Sequence, residues 1–223
     1  MIQTAVKASA PTRERILDAA LTLFSRDGYE GASIRDITRL VGIRESSLYN
    51  HFSSKADILA ELMKTYGPAS SASRLEAARY RQLANDPHAF CRQYAEDLVT
   101  QWSDPREQSF QRLFASECNR DPALRAEFAH HLFSWEQGVA TDYFRGFVLS
   151  GLIASLDARE TARIFMAGLI YIRIEHFKFS TAPPRRRQVM EAIDRYLAYF
   201  LSLIGAKTPT PAKSRRAKSP SAR

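Results

Sequence analysis

A short polar segment in the first quarter of the chain has the residue types and spacing for contact with DNA bases. Leu48 and Phe52 are four residues apart, so they share one face of a helix and are predicted to point into a core, with Ser46 and Asn50 on the opposite face. Arginine can pair bidentately with guanine, and serine and asparagine can donate or accept hydrogen bonds at base edges. The side chains predicted to approach bases lie on this face or at the N-terminal end of the helix: Arg44, Glu45, Ser46, Ser47 and Asn50.

A second set of polar side chains around this segment suits the DNA backbone, which fixes register without reading sequence. Ser33, Arg35 and Lys55 lie near helix N-termini, where unpaired N–H groups favour an anion, and Tyr49 and His51 border the side that faces the groove. The predicted phosphate contacts are Ser33, Arg35, Tyr49, His51 and Lys55. For Arg35 and for Arg39, a solvated helix charge is an equally good interpretation.

Four helices in the first third of the chain are predicted to carry these side chains. The first is predicted over residues 12–27 and ends at Gly28, which supplies a left-handed residue. Ser33 is predicted to cap a short second helix, and Gly42 to begin the turn into the third. Two short helices joined by such a turn predict a helix-turn-helix over residues 33–52, with its second helix in the major groove of DNA.

Beyond residue 66, proline, glycine and Asp/Asn breakers divide the chain into further helices. No stretch alternates with period two for long enough to predict a sheet. The sequence therefore predicts an all-α protein. The downstream helices are predicted, with boundary errors of about two to four residues, at 71–84, 88–103, 106–118, 122–145, 147–155, 158–180 and 186–204.

The positive charge of the chain is concentrated at its C-terminus. The net charge is +8, of which residues 206–223 carry +6, while residues 1–66 and 67–205 carry +1 each. The C-terminal segment has no apolar residue larger than alanine, so it cannot offset the entropy of ordering and is predicted to be disordered. An affinity arm for DNA and a merely solubilising end are equally good interpretations of it.

The composition excludes several classes of protein. A chain that is 45% hydrophobic and 25% charged is typical of a folded protein. The N-terminus lacks the apolar run of a secretory signal, and the longest near-apolar run, Gly146 to Leu156, is too short to span a bilayer, which predicts a cytoplasmic protein with no membrane partner. Cys91 and Cys118 are far apart, so neither a zinc site nor a disulfide framework is predicted.

An enzyme is the competing class. Several acidic residues and histidines are near each other in sequence: Glu117, Glu127, His130, His131 and Glu136. Helical spacing could bring Glu127 and His131 onto one face as metal ligands. However, the chain has no HExxH pattern, no phosphate-binding glycine loop and no nucleophile elbow. We therefore expect no catalytic residue, no bound metal and no cofactor.

Residues 10–70 resemble the DNA-binding domain of the TetR family of bacterial transcriptional regulators, through ILDAALTLFSRDGYEGASIRDITRLVGI followed by LYNHFSSKADIL. The resemblance implies phosphate contacts from Ser33, Tyr49, His51 and Lys55, and base contacts from residues 44–47 and Asn50. Arg44 departs from the family, which usually has a Ser or Thr cap there. The loss of that cap costs on the order of 1 kcal/mol.

The resemblance also implies that residues 71–205 form a helical domain for dimerisation and for binding an effector. This segment is rich in aromatic residues, which can line an apolar cavity between helices or simply fill a core. Arg173, Glu175 and His176 could add polar contacts to an apolar or amphipathic small molecule, although exposure explains them equally well. The aromatic side chains predicted to line the pocket are Trp102, Phe110, Phe114, Trp135 and Tyr171.

The last two helices carry apolar stripes that predict a homodimer. One stripe comprises Val189, Ile193, Leu197, Phe200 and Ile204, and the other comprises Ile164, Ala167, Gly168, Tyr171 and Ile172. Both stripes could instead belong to the core of one protomer. The sequence thus predicts a dimeric regulator, most simply a repressor that binds palindromic double-stranded DNA and is released by a ligand. The alternative is a constitutive DNA-binding or architectural protein without an effector.

Overall fold

The computed structural model of the chain describes residues 10–66, 75, 78–178 and 184–207, without the side chains of residues 124, 127, 128 and 131–133. Within these ranges all regular structure is helical, which confirms the all-α class. No helix in the described part of the chain has the length and apolarity needed to cross a membrane. The predicted turn at Gly67-Pro68, the start of the helix at 71–84 and the tail from residue 208 lie outside the described residues.

The N-terminal domain is built on four helices whose ends follow local sequence signals. They are α1 (Thr12–Asp27), α2 (Ile34–Val41), α3 (Glu45–Tyr49) and α4 (Lys55–Tyr66). Gly28 ends α1 with a φ of 78° and a ψ of 164°, and Gly42 ends α2 in the left-handed conformation with a φ of 76°; glycine adopts both without strain. The two predicted glycine termini of this domain are therefore confirmed.

The C-terminal part continues with longer helices. They are α5 (Ala78–Gln82), α6 (Pro87–Trp102), α7 (Pro105–Cys118), α8 (Pro122–His130), α9 (Gln137–Leu149), α10 (Ala158–Arg173) and α11 (Arg186–Leu203). Asp86, Asp104 and Asp157 cap α6, α7 and α10 by accepting backbone N–H bonds in the first turn. Two π-helical segments, His131–Glu136 and Ile174–Lys178, follow α8 and α10.

Two helix boundaries in this part differ from the prediction. The helix predicted over 122–145 is interrupted by the first π-helical segment, and α9 then runs through Gly146 to Leu149. The separate helix predicted at 147–155 was therefore wrong. Nothing lies within 4 Å of the position that a Cβ would take at Gly146, so no neighbouring atom requires a glycine there. Glycine is a weak helix former, but it does not end this helix.

The first hydrophobic core joins the N-terminal helices to α7. Ile16, Phe24, Leu48 and other apolar residues of α1 to α4 pack with Phe110 and Leu113, and Phe114 packs against the edge of this cluster. The Tyr66 and Phe110 rings lie 6.0 Å apart. Phe110 and Phe114 therefore pack against the N-terminal domain, and the contact with an effector that the sequence predicts for them stays a prediction.

The second core lies within the C-terminal domain and absorbs the apolar stripe of α11. The stripe residues are between 0% and 4% exposed: Val189, Ile193, Leu197, Phe200 and Ile204. They pack with Phe90, Phe144 and Phe165 in one cluster. The prediction that this stripe forms a dimer interface was wrong, because the helix turns these residues towards its own protomer.

Candidate nucleic-acid interface

The N-terminus of α2 is closed by a reciprocal pair of hydrogen bonds. The Asp36 backbone N–H donates to Ser33 Oγ at 3.1 Å, and the Ser33 N–H donates to Asp36 Oδ2 at 3.2 Å. Hydrogen bonds from Ser33 hold the pKa of Asp36 below its ordinary value. This capping box fixes the first turn of α2 and leaves Ser33 exposed at the helix end.

The turn between α2 and α3 begins at Gly42, whose N–H donates to Thr38 O at 2.9 Å. Arg44 then occupies the N-cap position of α3 with an extended backbone and no side-chain cap hydrogen bond. The structure therefore confirms that α3 lacks a side-chain cap, as the sequence implied. The Arg44 side chain is exposed at the N-terminal end of α3.

The helix that is predicted to enter the groove has one buried face and one exposed face. Leu48 and Phe52 are 0% and 2% exposed and anchor α3 in the first core. The structure thus brings the predicted base-contacting residues together on one outward surface. Residues on that surface are exposed, apart from the half-buried Ser47: Arg44, Glu45, Ser46, Ser47, Tyr49, Asn50 and His51.

Lys55 is bound within the protein instead of extending into solvent. Its Nζ donates to Tyr29 O at 2.9 Å and to Ala32 O at 3.1 Å, and lies 4.2 Å from the centroid of the Tyr29 ring. These bonds tie the start of α4 to the loop between α1 and α2. A phosphate contact from the remaining N–H of Lys55 stays a prediction, as do the contacts predicted for the exposed Ser33 and Arg35.

Two arginines of α1 that sequence reasoning missed hold the helix-turn-helix from behind. Arg15 Nη2 donates to Val41 O at 2.6 Å, at the end of α2. The Arg13 guanidinium lies 4.8 Å from the centroid of the Phe52 ring and 3.2 Å from Glu61. No local pattern announces these contacts, because each joins residues that are far apart in sequence.

Helix α7 connects the N-terminal domain to the rest of the molecule by polar contacts as well as by packing. Arg106 Nη2 lies 2.6 Å from Asp18 Oδ2 on α1, and burial raises the pKa of Asp18. At the other end of α7, Glu117 accepts a hydrogen bond from the Tyr29 backbone N–H at 3.4 Å. Glu117, one of the acidic residues considered above for an enzyme, therefore has a structural role between the two domains.

The remaining residues predicted for the pocket differ in their exposure to solvent. Trp102 is buried in the second core, whereas Trp135 is 37% exposed and Tyr171 is 69% exposed on the outer face of α10. The side chains of Glu127 and His131 lie outside the described residues. Among the described side chains, no group of three or more His, Cys, Asp or Glu is arranged to hold a metal ion.

Comparison with known proteins identifies the first domain. Residues 16–62 match the model of the bacterial regulatory proteins of the tetR family. Over 52 residues, 23% of this chain and 28% of its relative, the sequence is 44% identical to IcaR of Staphylococcus aureus strain Newman, a helix-turn-helix negative transcriptional regulator of the biofilm operon icaADBC. IcaR of Staphylococcus epidermidis is 44% identical over 46 residues, 21% of this chain and 25% of that protein. The chain thus aligns with about a quarter of the length of these curated relatives.

Solved structures resemble the fold over most of the chain. A Mesorhizobium loti protein described as a TetR-family transcriptional regulator is similar over 88% of this chain and 98% of its own, with a TM-score of 0.68 and 21% identity. A transcriptional regulator of Saccharomonospora viridis in complex with choline is similar over 85% and 95%, with a TM-score of 0.61 and 24% identity. At these identities the likeness establishes a shared fold.

Proposed function

We propose that this chain is a transcriptional repressor of the tetR family that binds a specific palindromic DNA site as a homodimer, on the basis of the match of residues 16–62 to the model of that family. The observation that carries the proposal is the exposed polar surface of α3, held on a core by Leu48 and Phe52. A short helix with such a surface can enter a major groove about 12 Å wide. Its place of action is the cytoplasm.

The dimer is proposed to form through the outer faces of α10 and α11. Four large side chains on these faces are more than half exposed: Ile164, Tyr171, Tyr199 and Leu203. Tyr196 of α11 lies against Gly168 of α10 and donates to Ile164 O at 2.9 Å, so the two helices are in direct contact. Paired with its copy around a two-fold axis, this surface would form a four-helix interface.

We propose further that a small molecule bound in the C-terminal domain releases the DNA. Helix α7 supports this, because it packs in the first core and forms ion pairs with both domains. A ligand that binds the two arrangements of the dimer with different affinity would shift their populations. A typical coupling of about 1 to 3 kcal/mol would weaken DNA binding about 5- to 150-fold.

The test begins with selection of bound DNA from a random pool by the full-length chain. We expect an inverted repeat with half-sites separated by about one helical turn or a multiple of it. Replacing the outward polar pair (Ser46→Ala with Asn50→Ala) should abolish the sequence preference. The matched control, Ser150→Ala with Asn119→Ala, changes exposed residues of the same types in the other domain and should leave it intact.

Selection of no preferred sequence would overturn the proposal, as would retention of the preference by the α3 variant. Mass measurement by light scattering tests the dimer, with Tyr199→Glu expected to produce monomers. A ligand screen by thermal stabilisation, followed by titration of each hit into the DNA complex, separates a ligand-released repressor from a constitutive one.

A further inference from the structure

The interior of the C-terminal domain contains a group of ionisable and aromatic side chains, here called the ion-pair cluster: Tyr94, Trp102, Glu107, Glu136 and Arg173. All except Arg173 are less than 5% exposed. Arg173 Nη2 lies 3.2 Å from Glu107 Oε1, and Tyr94 Oη donates to Glu136 Oε1 at 2.7 Å. The charge of Glu136 also acts on Arg173, so the two carboxylates and the guanidinium share one region.

The cluster lies where both π-helical segments meet the domain interior. Glu136 is the last residue of the first segment, and Arg173 immediately precedes the second. Phe177 of the second segment contacts Trp102 edge-on, with ring centroids 5.8 Å apart. Because π-helical turns are rare and occur frequently at functional sites, their joint position marks this cluster as more than a packed core.

The Arg173 guanidinium occupies a position built for an organic cation. It lies 5.5 Å from the centroid of the Trp102 ring and within ion-pair distance of Glu107. An aromatic face together with a carboxylate is the combination that recognises quaternary and protonated amines. We propose that the effector is an organic cation with an apolar body, which displaces Arg173 and binds between Trp102 and Glu107. This inference rests on the proposed function and names its ligand class.

An anionic effector fits the same residues less well. A ligand carboxylate at Arg173 would bring a third negative charge next to Glu107 and Glu136, in a region where burial already raises the pKa of Glu107. A cation instead takes over the charge that the guanidinium now supplies. The Arg173 side chain is 25% exposed, so the cluster is reached from solvent at the group that has to leave.

Displacement of Arg173 can affect the N-terminal domain through helix α7. Glu107 lies on α7 beside Arg106, which pairs with Asp18 of α1. Near the end of the same helix, Glu117 accepts the hydrogen bond from Tyr29. A change in the partner of Glu107 therefore acts on a helix that contacts both α1 and the loop that follows it.

The experiment compares matched probes in calorimetric titrations of the full-length protein. Choline is paired with its neutral isostere 3,3-dimethylbutan-1-ol, and benzyltrimethylammonium with benzoate. We expect at least one cation to bind about tenfold more tightly than its partner, the ratio that a cation–π contact with an ion pair supplies. Equal binding within both pairs, tighter binding of benzoate, or no binding of either cation would overturn the inference.

Variants locate the site. Glu107→Gln should reduce the affinity for the cation about tenfold, while Glu160→Gln, an exposed change on α10, should leave it unchanged. If Glu107→Gln does not fold, the neutral pair Glu107→Gln with Arg173→Met replaces it and is compared with Arg173→Met alone, against which the loss of the carboxylate should again reduce the affinity about tenfold. Retention of cation affinity by the folded variant overturns the inference.

The proposed function is tested separately, by binding of the selected DNA without any ligand. A protein that binds its DNA site but shows no preference for the cations disproves only the ligand class. A protein that binds the cations but no specific DNA disproves the repressor.

Discussion

The two domains use their buried polar groups in different ways. In the first, the half-buried Lys55 and Arg15 donate to backbone carbonyl groups, as does Thr38, the fully buried polar residue among residues 10–66. Beyond residue 100, the buried polar residues include three glutamates, and Glu107 pairs with another side chain, Arg173. A backbone carbonyl fixes the chain in one position, whereas a side-chain pair can exchange its partner for a ligand.

For a repressor of the kind proposed, this difference would combine a fixed DNA-contacting surface with an adjustable interior. The α3 surface keeps its shape because Leu48 anchors it in an apolar core and Arg15 closes the end of α2. Any change in DNA affinity then has to come from movement of the whole domain. Helix α7 is placed to cause such movement, since Phe110 belongs to the first core and Glu107 to the interior of the second domain.

The largest expected effect comes from removing one partner of the Glu107–Arg173 pair in the second domain. Arg173→Met keeps the bulk of the side chain but leaves Glu107 buried without the guanidinium. Removing one partner of a buried pair costs about 3 to 5 kcal/mol in the free energy of unfolding. Urea denaturation at about pH 8 measures this loss.

The pH dependence of that loss has a defined sign. Burial raises the pKa of Glu107 above its ordinary 4.5, and removal of Arg173, which lowers it, raises that pKa further. A raised pKa means that stability is present below about pH 4.5 and is lost as pH rises through the folded-state pKa. Arg173→Met should therefore be less damaging at about pH 5.5 than at about pH 8. A loss that is equal at both pH values would contradict the role of Glu107.

The next largest effect is expected in the apolar core of the N-terminal domain. Leu48→Ala removes a fully buried side chain from the first core and should cost about 2 to 5 kcal/mol, with loss of specific DNA binding. The cost should not change between the two pH values, because the buried residues of this cluster carry no ionisable group. Leu40→Ala, at a residue that is 47% exposed, serves as the control and should stay within about 0.5 kcal/mol. A strongly pH-dependent Leu48→Ala would contradict the contrast between the domains.

The features that could be predicted from the sequence are mainly local ones in the N-terminal domain. The capping box at Ser33, the left-handed Gly42 and the buried spacing of Leu48 and Phe52 are set within a few residues, so local patterns identified them. The exposure of Ser46 and Asn50 could also be predicted, because once Leu48 and Phe52 face the core, the helical period puts these two residues on the opposite face.

Long-range contacts explain what the sequence did not predict. The Glu107–Arg173 pair joins residues 66 positions apart, and the Arg106–Asp18 pair joins residues 88 apart. Phe110 has the same local pattern whether it faces one core or the other, so only the packing of α7 decides its place. The apolar stripe of α11 is likewise ambiguous between a core and an interface until its neighbours are known.

A smaller effect tests whether Lys55 serves the fold or the DNA. Lys55→Met keeps the apolar length but removes two charged hydrogen bonds to Tyr29 O and Ala32 O, at a cost of about 1.5 to 3 kcal/mol. Thermal unfolding compares it with Lys64→Met, an exposed change on the same helix that should be nearly neutral. An unchanged melting temperature together with weaker binding to every DNA sequence would show that Lys55 acts mainly on phosphates.

The smallest expected effect is at Arg44, at the N-terminus of α3. A residue that is best for DNA contact there is not the residue that is best for stability of the first domain. Arg44 is an N-cap without a cap hydrogen bond, so Arg44→Ser should add one and raise the free energy of unfolding by about 1 kcal/mol. Arg44→Ala removes the same guanidinium without adding a cap, so it should not stabilise. Both variants should lose preference at one base position per half-site, at a cost of about 1 to 3 kcal/mol in DNA binding. Denaturation curves and repeated DNA selection measure the two effects separately. Uniform weakening on all sequences by both variants would assign Arg44 to the DNA backbone, and equal stability of the two would mean that the introduced serine forms no cap.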